Sequence, residues 1–257
     1  MINKNHNMET PGEANFDRYS RQRVYEKIGD QGQKKISSAR VAIIGIGALG
    51  TVMANNLCRS GVGYLRLIDR DHVELSNLQR QVLMEEEDAA AGLPKALAAF
   101  QHLSRINSGI KMEPVVTHVD SSNIEDLIKD MDVILDGTDN METRFIINEA
   151  CYKLKKPWVR GGVLAAGGNC MTIIPGEGPC FRCLMPDSGT RAFPTTAARG
   201  VLNMASNIIA SMESAEALKI ITGSKDLNRR LFLLDLWNNT AEYIEIVKNP
   251  GCPVCGN

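Results

Sequence analysis

The stretch from Arg40 to Arg80 constrains this chain more than any other. It opens with Arg40-Val-Ala-Ile-Ile44, an apolar run of strand length, and passes into Gly45-Ile-Gly47-Ala48-Leu-Gly50. A helix-compatible segment follows to Gly61, then a second apolar run, Tyr64–Ile68, ending at Asp69. Strand, glycine turn, helix, strand, acid is the layout of a mononucleotide-binding βαβ unit. Glycines let the backbone turn sharply and approach a phosphate. The helix N-terminus offers free N–H groups and the positive end of its dipole. Asp69 stands where such units place the carboxylate that accepts ribose hydroxyls. The expected fold is therefore Rossmann-like, a doubly wound α/β sheet that is mainly parallel.

The glycine turn does not identify the nucleotide. Asp69 and the glycines alone would also suit an NAD-dependent oxidoreductase. Hydride transfer, however, needs no clamp on a triphosphate. Downstream lie Asp71, Ser76-Asn77-Leu-Gln79-Arg80-Gln81, Lys95, and Asp136-Gly-Thr-Asp139-Asn140. Arg80 and Lys95 can neutralise phosphate oxygens, and Asp139 can hold Mg²⁺. Lys95 falls in the first turn of a helix expected over 94–106, where a lysine opposes the dipole, so a stabilising role explains it poorly. Asn77 and Gln81 read as polar positioning groups. The expected nucleotide is ATP, with Gly45, Gly47, Ala48 and Gly50 packed beneath it. Asp71, Ser76, Gln79 and Asn140 complete the expected binding set.

Two Cys-x-x-Cys pairs, Cys180/Cys183 and Cys252/Cys255, supply four thiolates, the closed set that structural Zn²⁺ prefers. Each pair alone could be a redox dithiol. Two pairs, flanked by Pro179, Pro253 and Gly256, point to zinc with no open catalytic position. The other cysteines, Cys58, Cys151 and Cys170, fall in expected helices or at a strand start and read as small buried side chains.

Residues 1–15 are polar and read as a mobile arm, leaving 16–257 as one domain. Helical spacing runs from Phe16 to Ser37, with Arg18, Arg21 and Arg23 on a charged face. Glu85–Asp88 reads as solvated surface. After Trp158 the strands follow one another closely, so antiparallel strands should extend the sheet in the second half. The segment 186–200 reads as a long surface loop, and 201–222 as the longest helix, stopped by Gly223. A net charge of −1 gives no electrostatic reason to expect nucleic acid or an anionic membrane. No apolar run approaches the roughly 20 residues of a membrane helix. The N-terminus lacks a signal-peptide core, so a cytoplasmic location is expected, and seven cysteines there do not imply disulfides.

From Arg18-Tyr-Ser-Arg21-Gln22, through Asp69-Arg-Asp71 and Ser76-Asn-Leu-Gln-Arg-Gln81, to Cys252-Pro-Val-Cys255, the chain resembles the ThiF/MoeB/HesA family. These are bacterial relatives of the ubiquitin-activating enzymes. The resemblance implies adenylation of the C-terminal glycine of a small ubiquitin-like sulfur-carrier protein. It also implies that Arg21 reaches into a partner subunit's ATP site as an arginine finger, hence a homodimer. In several relatives a cysteine precedes the long helix; Thr196 occupies that position here. A threonine without an activating base is a poor nucleophile, so a separate sulfur donor is expected to take over the acyl-adenylate. Another carboxylate, on a peptide or a modified tRNA base, is the nearest alternative substrate. A catalytically silent binding subunit is another reading, opposed by Arg80, Lys95 and Asp139.

Overall fold

The computed structural model describes residues 18–186 and 199–256. The expected arm over 1–15, Phe16, Thr196 and most of the 186–200 loop lie outside the described residues. Eight strands form one sheet: β1 (Arg40–Ile44), β2 (Tyr64–Ile68), β3 (Lys111–Val115), β4 (Val133–Asp136), β5 (Trp158–Leu164), β6 (Gly167–Ile173), β7 (Leu231–Asp235) and β8 (Thr240–Ile244). Their order is β3-β2-β1-β4-β5-β6-β7-β8. The pairs from β3 to β5 are parallel; those from β5 to β8 are antiparallel. The order reverses between β1 and β4, the switch point where such sheets open a crevice at the carboxyl ends of their strands.

Along the inner strands, alternate residues feed two separate cores. Val41, Ile43, Leu65, Leu67, Val133, Leu135 and Val159 enter one. It is closed by α2 (Gly29–Ser38), α3 (Ala48–Ser60), α5 (Lys95–Ile106) and α9 (Asn203–Thr222). Ala42, Ile44, Ile134, Trp158 and Met171 enter the other, under α6 (Ile124–Ile128), α7 (Met141–Leu154) and α8 (Phe181–Leu184). Each Leu or Ile buried in this way contributes about 1.5–3 kcal/mol. Strands apolar on both faces are what a parallel sheet covered by helices requires.

Two local expectations change. The 16–37 helix is two helices, α1 (Ser20–Val24) and α2, broken over Tyr25–Ile28. Glu85–Asp88 is not solvated surface throughout. Glu85 caps α4 (Glu86–Ala90), and Asp88 is buried, its carboxylate 2.8 Å from His102 Nε2 on α5. Among the described residues no helix is long and apolar enough to cross a membrane.

Candidate active site

The glycine turn begins where β1 ends. Gly45 has φ +89°, and a Cβ there would stand 2.7 Å from the Gly137 carbonyl, so the turn presses directly on the end of β4. A side chain at Gly50, on the first turn of α3, would run into the Gly45 carbonyl oxygen. Glycine is thus required by close backbone approach. Asp69 fastens the turn from the neighbouring strand: its Oδ2 accepts the Ile46 N–H at 2.7 Å and its Oδ1 the Asp71 N–H at 2.8 Å. Burial pushes the Asp69 pKa up, while the Asp71 N–H and the Lys95 charge oppose it.

A cleft of about 450 Å³ opens above this floor. Of the residues expected at a nucleotide, Gly45, Gly47, Ala48, Asp69, Asp71, Arg80, Gln81, Lys95, Asp139 and Asn140 line it. Lys95 is the first residue of α5, nearly buried, with its Nζ 3.3 Å from Asp71 Oδ2. Arg80 is positioned by its own turn, donating from Nη1 to the Ser76 carbonyl at 2.9 Å. Asn140 caps α7 by accepting the Thr143 N–H at 2.9 Å. The Asp139 carboxylate is exposed and makes no hydrogen bond or ion pair among the described residues.

Gly50, Ser76, Asn77 and Gln79 do not line the cleft. Asn77 is buried and shapes the turn, its Oδ1 accepting the Glu74 N–H at 3.2 Å. Ser76 and Gln79 are exposed. Arg21 is exposed on α1, away from the lining of its own chain's cleft.

Beyond Asp139 the cleft continues across β5, β6 and β7, past Arg160, Gly162, Asn169 and Leu233. The motif reading missed this half. It also missed Arg144 on α7, which ties the end of β4 to β5. The Arg144 Nε stands 3.3 Å from Asp136 Oδ2, and Nη2 donates to the carbonyls of Thr138 (2.5 Å) and Gly161 (3.0 Å). Asp136 in turn accepts from the Thr138 N–H at 2.8 Å. The available signal was Arg160-Gly161-Gly162 inside an otherwise apolar strand, since charge in a buried strand needs a reason.

The four cysteines of the two pairs do meet. Cys180 and Cys252 sulfurs are 3.6 Å apart, Cys183 and Cys255 sulfurs 3.3 Å, and all four lie within 4.8 Å of one another. Four thiolates at about 2.3 Å from one ion would be spaced about 3.8 Å apart, so the set fits a single tetrahedral Zn²⁺. Against the upward push of burial, the backbone N–H groups of Cys255 and Val254 bring Cys252 down to about 7. The remaining cysteines are buried. Burial pushes Cys58 up to about 11 and raises Cys151 and Cys170 further, so none carries a ready thiolate.

A glycine turn fastened by an acid at a topological switch point, with cations above it, defines a nucleotide-binding protein of the doubly wound α/β class. The chain belongs to the ThiF family, whose model matches residues 19–254. It is 41% identical over 241 residues to the sulfur carrier protein ThiS adenylyltransferase of Bacillus subtilis, covering 93% of this chain and 71% of that one. It is 37% identical over 245 residues to the SAMP-activating enzyme E1 of Haloferax volcanii, covering 94% and 89%. The crystal structure of E. coli MccB with ATP shares the fold, with a TM-score of 0.81 at 24% identity over 96% of this chain and 76% of that one.

Proposed function

We propose that this chain adenylates the C-terminal glycine carboxylate of a small ubiquitin-like sulfur-carrier protein. The observation that carries the reading is the two-part cleft. One half offers a glycine floor, Asp69, Arg80 and Lys95 to a nucleotide, and the other runs open along β5–β7 for an extended second substrate. A carboxylate with an ordinary pKa near 4 is already ionised at neutral pH, so no general base is needed. Its oxygen forms a bond to the α-phosphorus of ATP, the bond from that phosphorus to the bridging oxygen breaks, and pyrophosphate leaves with the electron pair. Positioning two anions and stabilising the leaving charge then accounts for the rate. Asp69 faces the ribose, and Arg80 and Lys95 face the phosphates. The unpartnered Asp139 is the residue suited to Mg²⁺, which supplies charge neutralisation at phosphate oxygens.

Zn²⁺ on Cys180, Cys183, Cys252 and Cys255 has no free position and acts structurally. Buried Cys58, Cys151 and Cys170 support a reaction that stops at the acyl-adenylate and leaves sulfur delivery to a separate donor. Arg21, exposed and remote from its own cleft, suits a role in the neighbouring subunit of a homodimer. Residues 16–257 are taken as one adenylation domain in the cytoplasm.

Calorimetry with ATP and NAD⁺, followed by pyrophosphate release with the ThiS carrier of Bacillus subtilis, tests the reading. ATP should bind and NAD⁺ should not, and release should require the carrier. Tight NAD⁺ binding without ATP binding would sink it.

A further inference from the structure

Arg160 is a buried cation with no direct ion pair among the described residues. Its residue is 4% exposed, and its side chain makes no hydrogen bond or ion pair among the described residues. The guanidinium lies 5.2 Å from the ring centre of Phe181 and reaches the cleft wall. Burial, with the charge of Arg144 adding to it, holds Arg160 down to about 10. Of the two nearby carboxylates, Asp136 is already engaged by Arg144, and Glu213 makes no ion pair or hydrogen bond with Arg160. A guanidinium has five donors and no acceptor, so leaving it unpaired in the interior is costly.

Three donors converge beside it. The point where a Cβ on Gly162 would stand lies 3.0 Å from Arg160 Nη2, 3.5 Å from Arg144 Nη2 and 3.5 Å from Asn169 Nδ2. Because residue 162 is glycine, the backbone there leaves these nitrogens uncovered. Asn169 pairs directly with Gly162 across β5 and β6, so sheet register fixes its place in the group. The Asn169 Oδ1 is buried and also lacks a partner among the described residues. It can accept an N–H while its amide nitrogen donates. Donors for an anion and an acceptor for an amide N–H, side by side, match the end of a peptide.

Strand order gives the direction. Asp69 ends β2, the glycine turn ends β1, Asp139 follows β4, and Arg160 lies on β5, in register with Asp136. Along the sheet the sequence is therefore ribose, phosphates, Asp139 and then Arg160. We infer that Arg160, with Asn169 beside bare Gly162, forms the subsite that grips the terminal carboxylate and last amide of the acyl substrate. This inference rests on the adenylation reading and assigns its second substrate a named anchor.

The test uses the full-length protein, with acetyl-glycyl-glycine as probe and its C-terminal amide as control. The Arg160 Nε–H resonance, assigned by its loss in Arg160→Gln, is followed by ¹⁵N NMR. It should move with the free acid and stay with the amide. In pyrophosphate exchange with ThiS of Bacillus subtilis, Arg160→Gln should raise the carrier KM by at least about tenfold and leave the ATP KM within about twofold, with partial recovery in Arg160→Lys. Thermal stability of Arg160→Gln should hold or rise, because an unpaired buried charge is removed. An unmoved resonance, an unchanged carrier KM, a marked fall in Tm, or a shift induced by pyrophosphate instead would each overturn the assignment. Unchanged carrier KM in an active variant would leave adenylation standing. A shifted resonance with no exchange activity in the native protein would instead remove adenylation and keep the subsite.

Discussion

Replacing Glu213 by glutamine should make the protein more stable at neutral pH and flatten its pH dependence. Glu213 lies in α9 against Gly161 of β5, fully buried, and neither carboxylate oxygen has a partner among the described residues. Burial raises its pKa well above the usual carboxylate range. Asp136 adds to the shift, while Arg160 and Arg144 oppose it from across β5. Cys170 is a further titratable neighbour. In the unfolded chain a glutamate loses its proton near 4.5. Between that pH and the raised native pKa, the folded state holds a proton that the unfolded state has released. Stability from this group is therefore complete below about 4.5 and falls as pH rises, by about 1.4 kcal/mol per pH unit. Glutamine removes the titration at equal volume. The variant should match the native protein at pH 4.5 and gain on it by about tenfold in the folding constant for each pH unit above that, for as long as the native carboxyl holds its proton. Urea unfolding at fixed protein and zinc concentration, from pH 4.5 to 7, measures the difference. Parallel pH profiles would refute the reasoning. So would a loss of about 3–5 kcal/mol on substitution, the signature of a broken buried ion pair.

Gly50→Ala should cost about 1–3 kcal/mol and weaken ATP binding in calorimetry, because its methyl meets the Gly45 carbonyl oxygen. The double substitution Cys252→Ala, Cys255→Ala should abolish zinc in elemental analysis. Chain-entropy arithmetic for the 72-residue separation of Cys180 and Cys252 puts the loss of the cross-link at about 4 kcal/mol. Mixing inactive Arg21→Ala with inactive Asp139→Ala should restore activity through mixed dimers; no recovery despite subunit exchange would remove Arg21 from the neighbouring site. Mass spectrometry after reaction with ATP and ThiS should find no thiol-sensitive adduct on Cys58, Cys151 or Cys170.

The nucleotide half was legible because its signals are local. The strands Arg40–Ile44 and Tyr64–Ile68 begin and end where the apolar runs do. The glycines, Asp69 and Lys95 take the places their spacing implies. The cysteine pairs were legible too, since few chemistries need four thiolates at that spacing. The turn through Ser76–Gln81 was harder: alike in sequence, its polar residues divide between the cleft and the capping of the turn itself. Arg144, Asn169 and Glu213 carry no local signal, and Arg160 shows only as a charge inside an apolar strand. Their meaning arises from β5 pairing with β4 and β6 and from α9 crossing beneath, contacts between segments far apart in the chain. The Asp88–His102 pair, which joins α4 to α5, escaped for the same reason.

The cysteine cluster adjoins one side of the cleft, through Phe181, Leu184 and Met185. Cys180 immediately precedes Phe181, whose ring lies beneath Arg160 and against Trp158. The Phe181 N–H is held in turn by Asn148 of α7 at 2.9 Å. The far wall therefore hangs on a clasp that gathers two distant pieces of chain. The glycine turn and Asp69 hang on the parallel strands β1 and β2 and share no residue with that clasp. Opening the clasp should slacken the grip on the acyl substrate first, while the nucleotide seat keeps its shape. A metal ion bound by the four cysteines would then bear on the one side of the cleft and leave the other untouched.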